Sequence, residues 1–345
     1  MTLMLEEISE QPATIAATID GLRPDLPALR DLARGCRSVV FYARGSSDTA
    51  AVYGRYLCEI EARVPSSLGA PSIATLYDAR PDLRNTLAVV VSQSGRTGEM
   101  VAVAEWARRQ GARTLAITNA TQSPLADAVD HALITRAGTE RAIPATKTHT
   151  AQLTAIAILA AALARDSSTL LAALADVPAA AGRVIEARAP IERAATAIAD
   201  ANALVVTGRA YTMSSALEIA LKAQETCGLP AFGMSAADLQ HGPQAIERSS
   251  VPVLVIAAAT GVTLPTLTAC AETARGRGSV VVTIGGDERL RGMSDVAIEV
   301  PVLAETVAPI VAVISGQLLV EALARSRGAD ADRPPGLSKV TQTTE

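Results

Sequence analysis

The 345-residue chain is 49% hydrophobic but only 2% aromatic, which calls for a close-packed core of Ala, Val, Leu and Ile, as helices on a valine-rich sheet provide. Its formal net charge of -4 and the absence of any Lys/Arg block with interleaved aromatics exclude nucleic acid as an expected partner. The acidic N-terminus M-T-L-M-L-E-E-I-S-E lacks a basic targeting region, and no run of about 18 uninterrupted apolar residues occurs, so no membrane is expected and a cytoplasmic location is.

Residues 3 to 20 have the spacing of an amphipathic helix, followed by a turn at Pro24 and Pro27 and a short helix to about Arg34. This leader, residues 1–34, is of a kind that packs on a neighbouring domain or subunit. A strand S-V-V-F-Y-A from Ser38 ends in R-G-S-S-D-T at Arg44 to Thr49 and enters a helix to about Glu61. A strand near Leu87 runs into V-V-V-S-Q-S-G-R-T-G, Val89 to Gly98, before helical spacing resumes from Glu99 to Gln110. Strands at Arg113 to Thr118 and Ala132 to Thr135 follow, and an Ala/Leu helix from about His149 to Ala164 closes the unit. Alternating β and α elements predict a doubly wound parallel sheet.

The second half repeats the plan. Strands at 203–208, 251–256 and 279–284 mirror those at 38–45, 87–91 and 113–118, and Gly45 and Gly208 lie 163 positions apart. A near-constant offset over three strands predicts two copies of one α/β fold, flavodoxin-like three-layer sandwiches in tandem, spanning 35–165 and 190–330 with a linker at 166–189 and a tail at 331–345. Neither first strand is followed by GxGxxG, so a Rossmann oxidoreductase is not expected. The four cysteines, Cys36, Cys58, Cys227 and Cys270, are far apart in apolar segments without CxxC spacing and read as buried free thiols.

Two stretches carry chemistry. At the strand-to-helix turn, Ser92, Ser94 and Thr97 bring three hydroxyls, with the Gln93 amide, to a helix start whose first N–H groups lack intrahelical partners. An anion, most simply a phosphate, suits such a turn; an ordinary N-cap by Thr97 or Ser94 is the other reading. On the predicted helix Thr212 to Cys227, Met213, Ala216, Leu217, Ala220 and Leu221 share one face, and Glu218, Lys222 and Glu225 share another within about 60°. A solvated salt-bridged face is the simple account of such a stripe. The following F-G-M-S-A-A-D-L-Q-H-G-P holds His241 before a Gly-Pro turn, at a helix end or loop rather than in a core.

Taken together, S-Q-S-G-x-T after a strand, the earlier G-S-S turn, A-L-E-x-A-L-K-x-x-E, D-L-x-H-G-P, G-T-E-R-A-I-P-A-T-K-T at 138–148 and D-R-P-P-G-L-S-K at 332–339 resemble the sugar isomerase (SIS) double domain. Within that family the chain resembles the isomerase half of glutamine:fructose-6-phosphate aminotransferase and the SIS-type glucosamine-6-phosphate deaminases. The resemblance implies that Ser92, Gln93, Ser94 and Thr97 cradle the phosphate and that Ser46 and Ser47 contact the sugar phosphate. It also implies that Glu225 moves a proton between C1 and C2 with Lys222 in support. His241 would open the ring from a partner subunit of a homodimer, and Lys339 would meet the open-chain carbonyl. It implies no cofactor and no metal. A lysine one turn from a carboxylate favours the ionised base this chemistry needs.

The chain also departs from the aminotransferase pattern: Arg44 replaces a cysteine, Gln240 replaces a lysine, and no cysteine precedes Cys36, which leads us to expect no glutaminase activity. The implied reaction is glucosamine-6-phosphate to fructose-6-phosphate and ammonia, with a fructosamine-6-phosphate deglycase or a non-catalytic sugar-phosphate sensor as alternatives. The tail from Asp332 contains Pro-Pro-Gly and cannot be helical. At about 3.3 Å per residue it is long enough to return to the sheet's carboxyl edge, with Leu337 expected to be its buried anchor and Lys339 its functional end.

Overall fold

Six successive buried residues, Thr86–Val91, form the central strand of the first sheet. β-branched residues covered on both faces are what a parallel strand requires. The computed structural model describes residues 1–248 and 250–339. The chain divides into two compact units. The first comprises 13–140, 147–174 and 338–339, and the second comprises 1–12, 141–146 and 175–337.

In the first unit, β1 (Ser38–Tyr42), β2 (Ser66–Leu68), β3 (Thr86–Val91), β4 (Arg113–Thr118) and β5 (His131–Ile134) form a sheet of order β2-β1-β3-β4-β5. Every neighbouring pair is parallel. The register sets Tyr42 beside Val90 and Val91 beside Ile117, so the turns after β1 and β3 leave from adjacent carboxyl ends. Helix Gly98–Arg109 buries Met100, Val103, Ala104 and Ala107 on the face of Tyr42, Ala88, Val90 and Ala116. On the opposite face, the Phe41 ring and Ile156 of helix Lys147–Leu163 flank Gly54 of helix Ser46–Ile60.

The second unit contains β6 (Leu204–Gly208), β7 (Ala231–Ser235), β8 (Val253–Ala257), β9 (Val281–Gly285) and β10 (Val296–Ile298), again all parallel, in the order β10-β9-β8-β6-β7. Counted from each unit's own first strand, both sheets run 2-1-3-4-5, the tandem repeat expected from the strand offsets. Helix Leu264–Gly276 packs Leu267, Cys270, Ala271 and Ala274 against Val205, Val253, Val255 and Val281. Helix Ala308–Ser326 is long and apolar enough to cross a membrane, but its residues 308–324 are all buried and it serves as a core helix. The other apolar stretch, 168–186, is broken into Ser168–Ala175 and Val177–Glu186.

Several expectations need correction. The leader is two helices, Leu3–Ser9 and Gln11–Leu22, rather than one. The strands β2, β7 and β10 escape a reading by apolar runs: β2 is only Ser-Ser-Leu, and all three are edge strands. Cys58 and Cys270 are buried as expected, whereas Cys36 and Cys227 are half-buried. Leu337 is no buried anchor, being 44% exposed. Polar contacts hold the segment at Asp332 instead. The Asp332 carboxylate accepts the Leu3 and Met4 N–H groups at 2.9 and 2.8 Å, and its carbonyl accepts the Ile143 N–H at 3.0 Å. These are first-turn amides of a helix, which a carboxylate satisfies well. Residues 340–345 of the predicted tail lie outside the described residues.

Candidate functional site

The first unit places six of the predicted residues on two adjacent turns. After β3, Ser92 continues the ladder, its N–H donating to the Ile117 carbonyl at 3.0 Å, and the chain then folds over Gly95. Gly95 has φ +61°, and a Cβ there would lie 2.3 Å from Ser123 Oγ, so both the backbone angle and the space require glycine. The Gln93 carbonyl accepts the Asn119 N–H at 3.0 Å and the Thr118 hydroxyl at 3.2 Å. Ser94 Oγ accepts the Arg96 N–H at 3.2 Å.

Thr97 occupies the N-cap of helix Gly98–Arg109 with extended backbone, yet its hydroxyl makes no capping hydrogen bond. An ordinary N-cap therefore does not account for Thr97. Ser92 is buried, and Gln93, Ser94 and Thr97 are half-buried, open on one side.

The neighbouring turn begins helix Ser46–Ile60. Two fully buried residues of helix Lys147–Leu163 fix it: His149 Nδ1 lies 3.0 Å from the Ser46 carbonyl, and Gln152 Nε2 donates to Ser47 Oγ at 3.0 Å. Neither was singled out from sequence. The H-T-A-Q run sits just beyond the quoted 138–148 motif, and its i, i+3 spacing sets both side chains on one helix face. Arg44 ties the two turns together, its Nε and Nη2 donating to the two Glu99 oxygens at 3.0 and 2.6 Å. This bidentate bond holds the Arg44 guanidinium above its ordinary pKa.

Lys339 also lies in this unit. Its Nζ donates to Glu140 Oε2 at 2.7 Å, and the same buried carboxylate accepts the Thr148 hydroxyl at 2.6 Å and the Thr148 N–H at 3.1 Å. Glu140 falls inside the G-T-E motif at 138–140, and its sequence gives no sign of its role because its lysine partner lies 199 residues away.

In the second unit, helix Met213–Cys227 carries the ionisable stripe and stops at Gly228, which is left-handed at φ 58°. The stripe is not a solvated face. The side chains of Glu218 and Lys222 are 0% and 1% exposed, and that of Glu225 is 24% exposed. Lys222 Nζ lies 3.6 Å from Glu218 Oε1 and is hydrogen-bonded to Glu225 Oε2. The cation is thus flanked by two carboxylates, of which Glu225 alone reaches the surface. Met213, Leu217 and Leu221, on the apolar face, are half-buried. His241 is exposed at the end of the short helix Ala236–Gln240, and its ring makes no hydrogen bond among the described residues. The structure therefore joins Lys222 to Glu225 but joins His241 to neither. Among the described residues no cluster of three or more His, Cys, Asp or Glu side chains could hold a metal ion.

The fold and these turns define a tandem parallel-sheet α/β protein with a hydroxyl-rich strand-to-helix turn and a buried lysine-carboxylate trio. The chain belongs to the SIS domain family, whose profile matches residues 33–162 and 197–326. It is 33% identical over 341 residues to the glutamine-fructose-6-phosphate aminotransferase (isomerizing) of Pyrococcus horikoshii, an alignment covering 97% of this chain and 57% of that protein. It spans little more than half the length of the curated aminotransferases it matches. A solved protein of Silicibacter pomeroyi DSS-3, provisionally assigned as a phosphosugar isomerase, superimposes with TM-score 0.87 at 32% identity, covering 96% of this chain and all of the other. The glucosamine-6-phosphate deaminase of Thermotoga maritima shares the fold with TM-score 0.81 at 21% identity, covering 99% and 100% of the two chains. The family expected from the motifs is thus the family to which the chain belongs.

Proposed function

We propose that this protein is a phosphosugar isomerase acting on an amino sugar 6-phosphate, converting glucosamine-6-phosphate to fructose-6-phosphate and ammonia. The observation that carries this reading is the trio on helix Met213–Cys227, in which a buried ammonium faces the one carboxylate that reaches solvent. A proton shuttle beside a carbonyl or imine needs a base that is ionised yet accessible. Glu225 fits that role, with Lys222 fixing its orientation.

In this reading the Ser92, Gln93, Ser94 and Thr97 turn holds the phosphate, with Ser46 and Ser47 contributing the adjacent hydroxyls. His241, exposed on its own chain, serves a second copy in a homodimer and opens the ring. Glu225 takes the C2 proton of the open-chain 2-amino aldose and returns it to C1, giving the C2 imine of the ketose. Water adds to that imine and ammonia leaves, yielding fructose-6-phosphate. Lys339 meets the open-chain carbonyl at C1 once substrate draws it from Glu140. The 33% identity to the aminotransferases across nearly the whole chain supports the substrate class.

The test is product release over a panel of amino sugar and fructosamine 6-phosphates. Ammonia together with fructose-6-phosphate from glucosamine-6-phosphate is the expected result. Release of an amine from fructosamine phosphates alone would make the protein a deglycase. Tight binding without turnover of any member would make it a sensor.

A further inference from the structure

Arg44 belongs to none of the hydroxyl contacts, yet it is the residue that ties the two turns together. It leaves β1 just ahead of Ser46 and Ser47, and it reaches Glu99, the second residue of the helix that starts at the Ser92–Thr97 turn. The contact is bidentate, the geometry in which an arginine-carboxylate pair is strongest and most directional. The Glu99 side chain is 4% exposed and that of Arg44 is 49% exposed, so the carboxylate is buried while its cation faces outward.

The position of Glu99 poses an electrostatic problem for the phosphate reading. A helix N-terminus attracts negative charge through its unpaired N–H groups and its dipole. Glu99, in the first turn, already supplies such a charge. An unpaired carboxylate there, shielded from water, would oppose a phosphate dianion at the same helix end with little screening. Arg44 cancels that charge. Burial raises the carboxyl of Asp48, the other acid of the β1 turn, and Arg44 offsets part of that rise.

Resting on the phosphate reading of this turn, we propose that Arg44 is a positioning residue: it neutralises Glu99 and locks the Ser46–Ser47 turn onto the cradle helix, so that hydroxyls and amides receive a dianionic phosphate without a competing carboxylate. Arg44 need not touch the ligand for this role. Its effect passes through Glu99.

The test is calorimetric binding of inorganic phosphate and of glucosamine-6-phosphate to the full chain and to Arg44→Met, Glu99→Gln and the double variant, with thermal melts to verify folding. Arg44→Met exposes the carboxylate to the ligand and should weaken both ligands about ten- to a hundredfold. The double variant, which has lost the whole contact but also the charge, should recover to within about threefold of the unsubstituted protein. Glu99→Gln alone keeps the shape, frees the cation and should bind at least as tightly.

A double variant as weak as Arg44→Met would overturn the proposal, because it would make Arg44 a direct ligand or a purely structural brace. Normal binding by Arg44→Met would overturn it too. Should Arg44→Met not fold, loss of binding in Glu99→Gln would have the same consequence. Failure of the unsubstituted protein to bind either ligand is a separate outcome, since it removes the phosphate reading on which the proposal rests.

Discussion

Replacing Lys222 by methionine removes the cation from between Glu218 and Glu225 while keeping much of the side chain's length and packing. At 3.6 Å the Lys222–Glu218 attraction is about 4–5 kcal/mol with an effective dielectric of about 20. Taking one partner from a buried pair costs about 3–5 kcal/mol, because the remaining charge stays desolvated. Glu225 is part-exposed and turns to water, so the main penalty falls on Glu218. For a unit of this size about 1 kcal/mol moves the midpoint by roughly 2–4 °C, so Lys222→Met should melt about 10 °C lower. Calorimetric melting of Lys222→Met beside Lys222→Met/Glu218→Gln measures this. The double variant should regain a large part of the loss, since the buried carboxylate has been made neutral. A single variant melting within about 2 °C of the unsubstituted protein, or a double variant no more stable than the single, would refute the buried-trio argument.

Ser94→Ala with Thr97→Ala should weaken inorganic phosphate binding about tenfold or more with little change in melting temperature, as titration calorimetry would read; unchanged affinity would leave these hydroxyls without a ligand role. Deleting residues 334–345 should abolish turnover and lower the melting temperature by several degrees, because it takes Lys339 from the buried Glu140 carboxylate; normal turnover in the deletion would remove Lys339 from the reaction. Burial pushes the Cys58 and Cys270 thiols up to about 12, so thiolate is scarce at both near pH 8 and iodoacetamide should label Cys36 and Cys227 first, as mass spectrometry would show. The same shifts make stability contributed by the buried thiols complete below about pH 9, their unfolded value, and progressively lost as pH rises toward 12.

What the sequence made legible was whatever is local or periodic. Arg113–Thr118 is the strand read from R-T-L-A-I-T, and helix Met213–Cys227 departs by one residue from the spacing that announced it. The strand offsets gave the repeat because each copy keeps its valine runs at the same distances. The polar stripe on helix Met213–Cys227 was legible as a stripe, but periodicity only separates two faces and does not say which is buried. A solvated face, the simple account of such a stripe, does not hold here, because Lys222 and its two carboxylates compensate one another inside the protein. Arg44–Glu99 and Lys339–Glu140 were illegible for another reason. Each joins residues far apart in sequence, and the first depends on β1 and β3 being neighbours, which pairing topology decides and side-chain type does not. Leu337 was misjudged because hydrophobicity stood in for an anchor that the Asp332 carboxylate and carbonyl supply with hydrogen bonds.

The central claim is that Glu225 carries a proton between two carbons of a bound sugar phosphate, and solvent-hydrogen exchange into that substrate tests it most directly. With glucosamine-6-phosphate in tritiated or deuterated water, the unsubstituted protein should wash solvent hydrogen into the substrate and product carbons. Glu225→Gln, which keeps the shape and the hydrogen-bonding capacity but not the base, should lose about a thousandfold or more of that exchange while ligand affinity changes little. Exchange by Glu225→Gln at the unsubstituted rate would contradict the account and move the base elsewhere.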